Sequence, residues 1–145
     1  MSKINAIVWS LLSLFLVFGG QIASADEPPL YLFEAVENDK ALKRSFNKIM
    51  APVSKRSTWV KNYGTASPAK TEIIDNTEYQ IFQGCKPHNC TSESYAVLYN
   101  PKTKKVEAGA FVRNRFKGTN LKKGVIIWLG KTDWDQARVI SKYLY

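Results

Sequence analysis

Two cysteines and the only histidine of the chain fall within seven residues, Gly84-Cys85-Lys86-Pro87-His88-Asn89-Cys90, with a proline between them. Those residue types admit three chemistries: nucleophilic catalysis, metal ligation, or presentation of a rigid tip to a partner. A serine or cysteine hydrolase needs a base beside its nucleophile. His88 is the sole candidate, and a thiolate next to it would be consumed by a disulfide. Zinc asks for four ligands, or three and a water, and two cysteines plus one histidine in so short a loop leave that geometry cramped. Cys-x4-Cys is not the Cys-x-x-Cys of thiol oxidoreductases. A glycine-rich phosphate loop and a His-Glu helix motif are both missing from the sequence. The residues therefore argue against an enzyme, a metal site or a cofactor, and for binding. Joined cysteines would make Lys86 to Asn89 a short rigid tip, and a side chain already held in place loses little entropy when it docks.

The compartment decides whether the cysteines join. Residues 1–25 read as a cleaved export signal: Lys3 is the positive start, Ala6 to Phe18 is almost uninterruptedly apolar, and Ala23-Ser24-Ala25 has the small-x-small cleavage pattern. The apolar run is short of the roughly 20 residues that span a bilayer. Cleavage between Ala25 and Asp26 leaves residues 26–145, which number 120, enough for one domain with one core. In an oxidising compartment two cysteines are expected to form one disulfide, Cys85 to Cys90. The mature chain carries 20 basic against 12 acidic residues, net +8, a charge compatible with a polyanion, an anionic surface or solubility alone.

The elements that position the tip follow from periodicity. Leu30 to Val36 is a short apolar helix. Asn38 or Asp39 then caps a helix with Leu42, Phe46 and Ile49 on one face, which Pro52 is expected to stop. Trp59-Val60 is expected to anchor a turn, and Ser67-Pro68 to open the next section. From Lys70 the period becomes that of strands: Thr71 to Asp75 and Tyr79 to Gln83 around a polar turn, Tyr95 to Tyr99, Val106 to Arg113, and Val125 to Leu129. Gly109 suggests a bulge or close packing. Thr132 can cap a last helix with Trp134, Ala137, Ser141 and Leu144 on one face and Ile140 beside them. Helices, a meander of about five antiparallel strands and a terminal helix make an α+β domain.

Cys85-Lys86-Pro87-His88-Asn89-Cys90 closely resembles the Cys-Lys-Pro-His-Asp-Cys loop of the inhibitor of vertebrate lysozyme (Ivy) family of periplasmic bacterial proteins. The resemblance extends to Trp59-Val60, Ser67-Pro68-Ala69, Glu78-Tyr79-Gln80, Ala96-Val97 and Trp128-Leu129-Gly130. It implies helices on both faces of a five-stranded antiparallel sheet, with the loop protruding. It further implies an exported inhibitor that inserts this loop into the cleft of a C-type lysozyme, His88 meeting the catalytic carboxyls, with Lys86 and Asn89 adding contacts and Pro87 shaping the insert. Asn89 stands where the family has an acid, keeping an acceptor but losing a charge. C-type lysozymes are usually basic, so a +8 inhibitor meets long-range repulsion.

Three alternatives stay open. The resemblance allows an endogenous lytic transglycosylase as the target, and a homodimer as the working form. Charge alone allows a basic cell-envelope binder, because Arg113, Arg115, Lys117, Lys122 and Lys123 crowd a segment without acids around Phe116. Asp75, Glu78 and Glu93 are the acids that could offer local negative potential, although Asp75 and Glu78 sit at a hairpin turn whose strand places them far from Cys85. Nucleic acid is not an expected partner of an exported protein.

Overall fold

The computed structural model describes residues 30–144. The expected signal peptide and its cleavage point, Ala25 and Asp26, lie outside the described residues. In chain order the elements are α1 (Leu32–Asn38), α2 (Lys40–Ser54), a 3-10 turn (Thr58–Asn62), β1 (Thr65–Ile74), β2 (Thr77–Cys85), β3 (Glu93–Asn100), β4 (Lys105–Lys117), β5 (Asn120–Gly130) and α3 (Trp134–Ser141). The strands form one antiparallel sheet in the order β1-β2-β3-β4-β5, a meander. The expected α+β class and strand number both hold.

Side-chain alternation sorts the sheet into two faces. Phe82, Tyr95, Val97, Tyr99 and Phe111 point toward Leu32, Leu42, Phe46, Met50 and Val60 of the first helices. Ile81, Ala96, Leu98, Ala108 and Ala110 point the other way and are covered by Val139 and Ile140 of α3. Helices thus lie on both faces. The small residues on the α3 side let a single short helix approach closely, while the aromatic side takes the longer α2. Gly109 serves close packing, since a Cβ there would lie 2.9 Å from Val97 Cγ1.

Asp39 fixes where α2 starts. Its Oδ1 accepts from the Ala41 and Leu42 N–H groups at 2.8 and 3.1 Å, and its Oδ2 accepts from the Tyr99 hydroxyl at 2.6 Å. One carboxylate therefore caps a helix and ties it to the central strand. That hydroxyl donor, foremost, holds the Asp39 carboxyl below its ordinary value. Burial, with Asp39 alongside, pushes the Tyr99 phenol up to about 12.

Several boundaries depart from the sequence expectations. Pro52 does not end α2, which continues to Ser54. It lies in the last turn, where it removes only the bond to the Lys48 carbonyl, and buried Met50 and Val53 keep the turn packed. Ser67-Pro68 lies inside β1, at a bulge between Ser67 and Lys70 on an edge strand, where a missing N–H is tolerated. Asp75 and Asn76, both with positive φ, close the β1–β2 hairpin as a two-residue turn. The strands also run longer than their apolar cores. Asp133, not Thr132, caps α3, in a reciprocal box with Gln136; the Thr132 hydroxyl instead donates to the Leu129 carbonyl at 2.8 Å. Trp134 is 80% exposed, and Gln136, Val139 and Ile140 form the buried face. The capping box and the Tyr143 hydroxyl, which donates to Glu72 of β1, set the helix rotation.

Candidate functional site

The cysteine loop connects β2 to β3 at the end of the sheet opposite the β3–β4 turn. Cys85 pairs with Ser94 as the last rung of the β2–β3 ladder, and Lys86 N–H donates to the Glu93 carbonyl at 2.9 Å. Beyond this rung the chain turns at once: Asn89 N–H donates back to the Lys86 carbonyl at 3.0 Å, with Pro87 second and His88, at φ +63°, third. A proline followed by a positive φ is the pattern of a type II turn. Histidine is among the few non-glycine residues enriched at positive φ. The Cys85–Cys90 disulfide closes the six-residue ring across a Cα separation of 4.7 Å. Lys86, Pro87, His88 and Asn89 are all exposed. The turn holds the imidazole at the tip, free of any hydrogen bond among the described residues.

The trailing half of the loop is tied down separately. The Asn89 carbonyl accepts from Ser92 N–H at 3.1 Å and from the Ser92 hydroxyl at 2.9 Å. Asn114 of β4 donates its N–H to the Ser92 carbonyl at 2.7 Å and its side-chain amide to the Thr91 carbonyl at 3.0 Å. The loop is thus held by β3, by the disulfide and by β4, and the side chains of its four-residue apex face solvent.

Below the loop lies a polar cluster that joins three segments: the 3-10 turn with its leading residue, β3 and β4. Glu93, whose side chain is 12% exposed, accepts from Arg113 Nε at 2.8 Å, Trp59 Nε1 at 2.7 Å and the Ser57 hydroxyl at 2.9 Å. Arg113 also donates to Ser57 Oγ at 2.9 Å and lies over the Phe111 ring. Burial would raise the Glu93 carboxyl, but the Arg113, Trp59 and Ser57 donors outweigh it and hold the group below its ordinary value. Trp59 stacks on Tyr95 with ring centroids 5.9 Å apart. Gly64 seals this platform: at φ +67° its missing Cβ would sit 2.3 Å from the Cys85 carbonyl oxygen and 2.5 Å from the Trp59 ring.

These placements answer the residue expectations unevenly. Cys85 and Cys90 are joined, and Lys86 to Asn89 stand together at the tip. Glu93 is not available as a free negative charge, because Arg113 neutralises it. Asp75 and Glu78 are at the β1–β2 turn, the far end of β2 from Cys85. Of the Ser57-Trp59-Glu93-Arg113 cluster, the sequence points to Trp59 as an anchor, to Glu93 as a free acid and to Arg113 as one of a run of exposed cations, whereas the last two are paired with each other. Trp59 and Glu93 are 34 positions apart, and Ser57 and Arg113 are 56 apart, so no local spacing announces the cluster. No group of three or more His, Cys, Asp and Glu that could hold a metal occurs among the described residues.

Residues 41–124, from α2 into β5, match the model of the family described as inhibitor of vertebrate lysozyme (Ivy). The chain is also 38% identical over 61 residues to the inhibitors of vertebrate lysozyme of Escherichia coli K12 and of Escherichia coli O157:H7. Each of those matches covers 42% of this chain and 38% of the relative's length. With the family model spanning more than half of the sequence and the disulfide loop and its β4 anchor inside the matched region, the chain belongs to the Ivy family.

Proposed function

We propose that the chain is an exported inhibitor of a C-type lysozyme that inserts the Cys85–Cys90 loop into the active-site cleft. The observation that carries this is the exposed imidazole of His88, set at positive φ on the apex of a turn anchored on both sides. A retaining glycosidase keeps two carboxyl groups about 5 to 5.5 Å apart, one protonated and one ionised. A neutral imidazole has an acceptor and a donor on opposite sides of its ring. It accepts from the acid and donates to the carboxylate together, so one side chain occupies both catalytic groups and excludes substrate. Lys86 and Asn89 flank it with polar groups, and Pro87 keeps the insert narrow. In this reading the working protein is periplasmic, in a compartment where the disulfide forms.

The test is a cell-wall lysis assay with C-type lysozyme and the mature chain. Wild type inhibits, and His88→Ala weakens inhibition about 30-fold or more, as expected for an anchor worth at least about 2 kcal/mol. Equal inhibition by His88→Ala, with an unchanged circular dichroism spectrum, would overturn the reading.

A further inference from the structure

The loop is not the only projection on its side of the molecule. The β3–β4 ladder ends at Glu93 and Arg113, while the β4–β5 ladder continues through Asn114 and Gly124, Arg115 and Lys123, Phe116 and Leu121, to Lys117 and Asn120. Residues 114–124 are therefore a two-stranded ribbon that extends past the sheet by about 10 to 13 Å at strand rise. Asn114, at its root, is the residue that bonds the cysteine loop at Ser92 and Thr91. Between loop and ribbon lies a cleft of about 410 Å³ whose walls include Lys86 and Asn89 on one side and Arg115, Lys123 and Val125 on the other. The ribbon therefore stands beside the loop that carries His88.

The ribbon's chemistry has one sign. Arg115, Lys117, Lys122 and Lys123 are its charged residues, without an acid among them. None takes part in a salt bridge among the described residues, and the Glu93 carboxylate that lines the same cleft as Arg115 and Lys123 is already paired with Arg113. Phe116, 41% exposed, and Leu121, 57% exposed, face each other across the two strands. Exposed apolar side chains and unpaired cations brought together at the end of a ribbon have the make-up of an interface patch with a charged rim.

The geometry points to the ribbon as a second contact arm for the enzyme that receives the loop, selecting targets whose cleft rim is acidic and slowing the capture of basic ones. This rests on the inhibitory reading of the loop. A basic ribbon beside the insert repels a basic lysozyme during approach, and charge of one sign acts on association far more than on the seated complex. Phe116 and Leu121 make apolar contact with either kind of target once the loop is seated.

Two C-type lysozymes with the same catalytic carboxyl pair, one basic and one acidic in net charge, separate the effects. Association rates are measured between about 0.01 and 0.15 M salt, over which the screening length falls from about 30 to about 8 Å. The rate with the acidic enzyme should fall as salt rises, and the rate with the basic enzyme should rise. Arg115→Glu/Lys123→Glu, whose side chains make no hydrogen bond or ion pair among the described residues and so should leave the fold intact, should speed capture of the basic enzyme about tenfold and slow capture of the acidic one similarly. Equal salt slopes for the two enzymes, or rates unmoved by the double reversal, would overturn the inference while leaving the loop mechanism standing. The inference also falls if the double reversal abolishes binding to anionic phospholipid vesicles and leaves both enzyme rates unchanged, since the ribbon then serves a membrane surface. Failure of wild type to bind either enzyme removes the inhibitory reading itself, and the arm with it.

Discussion

The Trp59 indole N–H donates to Glu93 Oε2 at 2.7 Å across 34 residues of chain, placing the 3-10 turn directly beneath the strand that leaves the cysteine loop. Trp59→Phe would keep an aromatic ring against Tyr95 but leave one carboxylate oxygen without its donor. Loss of about 1 to 2 kcal/mol is expected. A lower urea midpoint with an unchanged slope is the readout.

Glu93 also sets a direction for pH. Its folded-state carboxyl lies below the ordinary value, because the donors outweigh burial. The unfolded chain therefore takes up the proton first as pH falls. The stability contributed is complete above the unfolded-state carboxylate range and is lost as pH drops through the depressed folded value. Asp39, held down chiefly by the Tyr99 hydroxyl, acts in the same direction. Urea midpoints taken from about pH 7 to about pH 3 should decline toward acid, and Glu93→Gln should make that decline shallower.

Gly64→Ala combines a positive φ of +67° with a Cβ 2.3 Å from the Cys85 carbonyl oxygen. The obstructing atoms are backbone and an indole ring stacked on Tyr95, neither able to step aside. A cost of roughly 3 kcal/mol or more is expected, from overpacking and backbone strain together. Thermal unfolding reports it, and a melting point equal to that of wild type would contradict the packing described.

Cys85→Ser/Cys90→Ser separates stability from site geometry. The disulfide closes only six residues, worth about 2 kcal/mol on the loop-entropy model. The sheet is expected to remain folded, because its ladders do not depend on the bridge. With the chain still folded, inhibition should nevertheless fall about tenfold or more, because the tip must then be ordered on binding. Unchanged inhibition by the folded variant would show that the bridge serves stability alone.

The meander is legible in the sequence because each strand core has its own run of β-branched and aromatic residues between turn residues. The loop is legible because its special residues are contiguous. Strand ends are less so: Thr65 to Lys70 and Asn114 to Gly124 carry few apolar residues, and only cross-strand pairing recruits them. The orientation of α3 is hidden because Trp134 looks like a core residue, whereas Gln136 and Asp133 bond each other and Tyr143 reaches Glu72. The Glu93 cluster escapes for a different reason. Its four side chains come from three segments and become neighbours only after the fold has formed.

The left-handed backbone at His88 has a consequence for how this chain can change over generations. A substitution there is screened twice, once by the turn and once by the target. Asparagine, aspartate and glycine fit the backbone without the imidazole, while valine, isoleucine or threonine would fail at the turn before any target is met. Mutational drift away from histidine is therefore channelled toward a few residues that keep the loop's shape, and a descendant that had lost the imidazole would still present a well-formed tip open to a new partner.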